Sequence, residues 1–230
     1  MKTIGLIGGM SWESSLEYYR AINQAVKARL GGLHSAQSLL YSVDFAEIEA
    51  LQQQGRWDAA ATILIDAAQR LERGGAACVV LCTNTMHKVA EAIQAQIAIP
   101  LLHIADPTAE AIRRQGMTTI GLLGTRFTME HDFYKGRLTQ NYGLNVLVPA
   151  EPDREIIHRI IYTELCLGEI KQSSKQAYIA VMERLIAAGA EGIILGCTEI
   201  GLLIQSGDSQ VPLFDTTSLH ALAAVEYALG

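Results

Sequence analysis

The chain has 230 residues, 50% of them hydrophobic, with a net charge of −6 and a pI near 5.5. That is enough material to bury a core, in one large domain or two small ones, and an acidic chain without a basic run argues against a nucleic-acid surface. The start, Met1-Lys2-Thr3-Ile4, is already strand-like rather than a signal peptide, and no apolar run reaches membrane-spanning length. The expectation is a cytoplasmic protein with no membrane partner.

In chain order, Ile4 to Ile7 predicts a short strand, followed by Gly8-Gly9-Met10-Ser11 and a helix capped by Ser14 or Ser15 that continues through Tyr18, Ile22 and Val26. The glycines do not form GxGxxG, so a tight strand-to-helix turn is the simpler reading than a dinucleotide site. Leu39 to Val43 predicts a second strand, and Asp44 to Gln54 a loop entering a helix. Gln52 there either faces a site or belongs to a solvated helix end. Ala60, Ile63, Leu64, Ala67, Ala68 and Leu71 lie at helical spacing, and Gly74-Gly75 stops that helix. Val79-Val80-Leu81 follows at once, apolar on both faces like a buried parallel strand, and breaks into Cys82-Thr83-Asn84-Thr85-Met86-His87. Ile99 to Ile104 is another short strand, and Asp106-Pro107 opens a helix.

A second run of the same kind begins near Thr118. Strands are expected at Thr119 to Leu123, Leu144 to Val148 and Gly192 to Leu195, and helices near 129–140, 153–166 and 173–188. Aligning Leu71 on Leu185 pairs Gly75 with Gly189, Val79-Val80 with Ile193-Ile194, and Thr83 with Cys197. Thr3-Ile4-Gly5-Leu6-Ile7-Gly8 matches Thr119-Ile120-Gly121-Leu122-Leu123-Gly124 at nearly the same spacing, which argues for internal duplication. Alternating strands and helices predict an α/β protein of two similar doubly wound parallel-sheet domains, related by pseudo-two-fold symmetry with a cleft between them. The first takes residues 1–104 plus a returning 212–230, and the second 105–211. Ligands of such sheets lie beyond the carboxyl ends of the strands, where Gly8 to Ser11, Thr83 to Thr85, Gly124 to Thr128 and Cys197 to Glu199 fall.

Cys78, Cys82, Cys166 and Cys197 contain no CxxC pair and give no metal-ligand spacing. Strand alternation points Cys82 the opposite way from residue 83, into the core. Cys197, read at the start of a helix, is expected to have its thiolate favoured by the dipole.

Ile4-Gly5-Leu6-Ile7-Gly8-Gly9-Met10, Asn84-Thr85, Gly124-Thr125 and Gly196-Cys197-Thr198-Glu199 together resemble the cofactor-independent aspartate/glutamate racemase superfamily over essentially the whole chain. The Cys-Thr-Glu ending resembles its aspartate branch and the bacterial L-aspartate/glutamate-specific type. The resemblance implies an isomerase without a cofactor, acting on a small amino acid, and a homodimer. It implies two cysteines on opposite faces of the substrate, one before Asn-Thr and one in Gly-Cys-Thr. Here Thr83 takes the first place, as it does in the internal alignment. By resemblance Cys197 is the base for L-aspartate or L-glutamate, and Thr83, a plausible donor but a poor base, serves the other face. Met10, Asn84, Thr85, Thr128 and Thr198 are the implied substrate-binding residues, although each hydroxyl or amide also suits a helix cap. Glu199 and His87 either tune the two reacting positions or are an ordinary cap and a surface histidine. Related aspartate racemases carry a lysine near the place of Cys166. Without it, Glu164 or Lys171 shapes the side-chain end. Two other readings stand beside this one: a single-thiol decarboxylase of the arylmalonate type, and a non-catalytic binder of acidic amino acids.

Overall fold

A computed structural model describes residues 1–230, and the chain divides into two compact units, Met1–Ile104 with His220–Gly230, and Ala105–Leu219. The first unit begins with β1 (Ile4–Gly8), α1 (Trp12–Leu30), β2 (Ser38–Ser42), α2 (Phe45–Gln53) and α3 (Trp57–Arg73). It continues with β3 (Cys78–Leu81), a 3₁₀ turn over Thr85–Val89, α4 (Ala90–Gln94) and β4 (Leu101–Leu102). Its four parallel strands run in the order β2-β1-β3-β4.

Every residue of β1 and β3 is buried, because helices cover both faces of the sheet. Alternation along β3 divides its side chains between two layers. Val79 and Leu81 pack with Ala60, Leu64, Ala67, Ala68 and Leu71 of α3, whereas Cys78, Val80 and Cys82 pack with Tyr18, Ile22 and Val26 of α1. Helix α1 starts at Trp12 after Ser11. Ser14 and Ser15, expected as caps, lie inside it, and both hydroxyls donate back to the Ser11 carbonyl at 3.0 Å.

The second unit holds α5 (Ala105–Arg114), β5 (Thr119–Gly124), α6 (Arg126–Glu130), α7 (Asp132–Tyr142), β6 (Asn145–Leu147) and α8 (Glu151–Thr163). It goes on through α9 (Gln172–Ala187), β7 (Ile193–Gly196), α10 (Ile200–Leu203) and β8 (Leu213–Asp215), and α11 (Thr216–Leu229) closes the chain. The strand order is β6-β5-β7-β8, the same plan as in the first unit. One boundary differs from the sequence reading, which gave residues from 212 onward to the first domain. Residues 213–215 instead add a strand to the second sheet, with Ile193 beside Leu213 and Leu195 beside Asp215, because the open edge of β7 offers them backbone partners. The return to the first unit comes at His220, within α11.

The duplication has a packing reason. Leu71 closes on Gly5, and Leu185 closes on Gly121: a Cβ at either glycine would meet the leucine within 3.3 Å. Each leucine is followed by a glycine with positive φ, Gly75 at 89° and Gly189 at 104°, which turns the helix end back into the next strand. At the other end of the second sheet Gly124 and Gly196 lie side by side in register.

Two glycine substitutions separate a rigid contact from a yielding one. A Cβ at Gly124 would sit 2.7 Å from the Gly196 carbonyl oxygen, whereas one at Gly121 would meet the ends of side chains, the Ile193 Cδ1 methyl at 2.6 Å and the Leu185 Cδ1 methyl at 3.1 Å. Gly124→Ala is expected to cost about 1–3 kcal/mol and Gly121→Ala less than about 1.5 kcal/mol, because a side-chain tip can swing aside and a backbone carbonyl cannot. Urea midpoints of the two variants against the parent check this.

Candidate functional site

In the first unit the ends of β1 and β3 are adjacent. Ile7 stands beside Leu81, and the Cys82 N–H donates to the Ile7 carbonyl at 2.9 Å. Met10 follows β1, and Thr83, Asn84 and Thr85 follow β3, and all four side chains are buried. Gln52, in the last turn of α2, is not a solvated end. It is 3% exposed, and its amide nitrogen lies 3.0 Å from the Met86 sulfur. Cys82 belongs to the α1 layer, and burial pushes its thiol far up.

Both peptide groups of Thr83 are tied. Its N–H donates to the Leu81 carbonyl at 2.8 Å in a tight turn, and its carbonyl lies 2.7 Å from His87 Nδ1. His87 is buried, not a surface side chain, and its Nε2 lies 3.1 Å from the Ile104 N–H. A carbonyl only accepts and an N–H only donates, so these partners assign the neutral Nδ1–H tautomer. Burial first, then the nearby His103 and His220 rings, hold the His87 imidazole well below the usual histidine range.

In the second unit Cys197 directly follows β7, Thr125 directly follows β5, and Thr128 lies in α6 just beyond. Thr125 caps α6, its Oγ1 accepting from the Thr128 N–H at 3.3 Å. Thr128 packs over the paired glycines, which have no Cβ to keep it away: its Cγ2 would lie 3.2 Å from a Cβ at Gly124 and 3.6 Å from one at Gly196. The Cys197 thiol, 7% exposed, donates to Glu199 Oε2 at 2.9 Å. The Thr198 hydroxyl donates to the same oxygen at 2.8 Å, and Glu199 is 1% exposed. A buried carboxylate with two donors is the feature that distinguishes this strand end.

This arrangement reverses the expected tuning of the thiol. Burial, then the negative charge of Glu199, push Cys197 well above the ordinary thiol range, and Cys166 adds to the effect. The following helix cannot offset them: α10 is a single turn of four residues with Glu199 at its N-cap, so Cys197 precedes it and the dipole is small there. Both effects favour the protonated thiol, whose hydrogen bond Glu199 accepts.

Glu164 is buried at the end of α8, where its Oε2 accepts from the Ser174 hydroxyl at 2.5 Å and its Oε1 lies 3.8 Å from Lys171 Nζ. The structure also brings in residues that sequence reasoning did not single out. Ser174 holds Glu164, Thr217 Oγ1 reaches the Thr198 carbonyl at 3.5 Å, and Tyr178 is buried in the same core cluster as Cys197. All three lie far in sequence from the residues they meet, Thr217 following β8 rather than β7. Only the hydroxyls of Ser174 and Thr217 in the first turns of helices, a routine feature, marked any of them beforehand.

The Asp/Glu/hydantoin racemase family model matches residues 7–224. The broad specificity amino-acid racemase RacX of Bacillus subtilis is 26% identical over 174 residues, covering 73% of this chain and 71% of that one. A crystal structure of a Yersinia pestis protein provisionally described as an Asp/Glu racemase is 59% identical, covers 100% of both chains and superposes with a TM-score of 0.93. An aspartate racemase homologue from Pyrococcus horikoshii OT3 is 36% identical over 100% of both chains, with a TM-score of 0.86.

The thiol–carboxylate pair predicts a pH dependence. With the folded pKa raised, the thiolate of Cys197 forms only as pH climbs past the ordinary thiol value of about 8.5. Alkylation of the Cys197 peptide by iodoacetamide, followed by mass spectrometry, is expected to be negligible at pH 7–8 and to rise above that value. In Glu199→Gln, which removes the neighbouring charge, the rise moves to lower pH. An unchanged profile in that variant would assign the shift to burial alone.

Proposed function

Because this chain belongs to the Asp/Glu/hydantoin racemase family, we propose that it interconverts the enantiomers of aspartate or glutamate, with Cys197 as the base on the L-enantiomer and without a cofactor. The enzyme is an isomerase, an amino acid racemase. The observation that carries the finer reading is the 2.9 Å hydrogen bond from the Cys197 thiol to Glu199 at the end of β7. A thiolate, not a thiol, takes a proton from carbon, and here the thiol proton has a place to go.

The proton balance is simple. Glu199 takes the Sγ–H proton, the thiolate takes the Cα proton of the L-enantiomer, and a proton is delivered to the opposite face of the planar carbanion. Thr83, at the corresponding strand end of the first unit, is the residue assigned to that delivery; the cycle closes when Glu199 gives its proton to solvent and Thr83 takes one back from it. A hydroxyl gives up its proton with difficulty near neutral pH, so delivery is slow compared with removal. The enantiomers have equal free energy, so slow delivery retards both directions of inversion alike. Exchange of the L-enantiomer's α proton with solvent, which needs Cys197 and Glu199 but not Thr83, stays faster. Asn84, Thr85, Thr128 and Thr198 are assigned to the substrate's polar groups, where donors stabilise the charge that develops on its carboxylate. Met10 and Gln52 are assigned to the lining, and Glu164 to the side-chain end.

Proton NMR in heavy water tests this on L- and D-glutamate and L- and D-aspartate. The L-enantiomers are expected to exchange faster than they invert. Cys197→Ser is expected to lower exchange by at least about 10²-fold, and Glu199→Gln to lower it by about 10²-fold although its thiol ionises more easily. Thr83→Cys is expected to raise inversion from both sides. If the parent protein exchanges neither enantiomer of either acid, the assignment to acidic amino acids is wrong. Thr83 in place of a second thiol favours a single-thiol decarboxylase as the next reading, tested by CO₂ release from disubstituted malonates.

A further inference from the structure

His87 takes no part in the steps above, yet it is one of the most constrained polar side chains in the first unit. It is 3% exposed, and each ring nitrogen is committed: Nδ1 to the Thr83 carbonyl at 2.7 Å, and Nε2 to the Ile104 N–H at 3.1 Å. Ile104 is the last residue before the chain leaves this unit, and Thr83 is the first residue beyond Cys82 at the end of β3. The neighbouring His220 is engaged elsewhere, its Nε2 lying 2.8 Å from the Leu102 carbonyl and its Nδ1 2.8 Å from the Tyr18 hydroxyl. The His103 ring is 4.5 Å from that of His87, centroid to centroid.

The Thr83 N–H is turned back onto Leu81, which holds the peptide group on its amide side. The His87 ring holds the peptide group on its carbonyl side. The Thr83 Cα lies in both peptide planes, so holding the two planes fixes the Cα and the direction of its Cα–Cβ bond, which carries the hydroxyl. We propose that His87 is a positioning residue for Thr83, clamping its carbonyl through Nδ1–H while Nε2 anchors the ring to Ile104. This rests on the reading that Thr83 delivers a proton to the substrate, and the two fail separately.

The two ring nitrogens can be replaced one at a time. An asparagine amide falls near the place of Nδ1 and can donate to the Thr83 carbonyl. A glutamine amide falls near the place of Nε2 and can accept from Ile104. His87→Asn therefore keeps the clamp and loses the anchor, and His87→Gln keeps the anchor and loses the clamp. Both remove one hydrogen bond from the same buried place, so a purely structural role predicts similar losses in the two.

On full-length protein, inversion and α-proton exchange of L-glutamate are measured for the parent, His87→Asn, His87→Gln and Thr83→Val, with melting temperatures. The expected result is that His87→Gln lowers inversion at least about tenfold relative to L-exchange, the scale on which displaced reacting groups lose rate. His87→Asn should keep that ratio within about threefold of the parent, at a similar melting temperature. Equal ratios in the two variants, or a loss shared by exchange and inversion alike, overturn the inference while leaving Thr83 in place. If Thr83→Val inverts like the parent, the reading of Thr83 falls and the inference with it. Imidazole ¹⁵N shifts of the parent give a check that needs no variant: His87 should carry its proton on Nδ1, and a proton on Nε2 or a charged ring overturns the clamp.

Discussion

A parallel strand covered by helices on both faces has no place for a polar side chain along its length. In β1, β3 and β7 every residue is buried, and the side chains are aliphatic, cysteine or absent. Polar groups enter only where the strand stops and the covering helices end. The closeness of that covering depends on glycine: Leu71 seated against Gly5 and Leu185 against Gly121 bring helix to strand in both units. The same economy at Gly124 and Gly196 lets Thr128 lie over the strand ends next to Cys197. Packing and site are thus parts of one arrangement, since the residues that allow close approach also set how near the polar groups stand.

The thiol is governed by a balance of opposing electrostatic effects. Removal from water disfavours the thiolate, and the Glu199 charge disfavours it further. The carboxylate that suppresses ionisation is also the acceptor of the thiol's hydrogen bond, at 2.9 Å. A helix dipole would have favoured a standing thiolate, but four residues of α10 are too few and begin too late.

The two units share strand order and differ in what supports their strand ends. In the second unit the side chain at the end of β7 is held by a carboxylate two residues on, through Cys197 and Glu199. In the first, the backbone at the end of β3 is held by an imidazole four residues on, through Thr83 and His87. A carboxylate bonded to a side chain alters the acidity of that side chain, whereas a neutral ring bonded to a carbonyl fixes direction. The duplicated plan has diverged in what is held at the strand end, a side chain in one unit and a backbone carbonyl in the other.

The sequence by itself determined the α/β class, the parallel strands and the repeat that sets Thr83 against Cys197, because these depend on local periodicity and on glycines whose backbone needs are local. It also placed Cys82 in the core, since alternation along a strand is a matter of counting. Tertiary structure alone decided the rest. The strand at Leu213–Asp215 went to the second sheet because an open edge of β7 was available, and no residue within the strand records which edge that is. The burial of Gln52 and His87 depended on neighbours distant in sequence, as did the Ser174 bond to Glu164. The acidity of Cys197 turned on how deep the thiol lies and where one carboxylate points, quantities that exist only once the chain has folded around them.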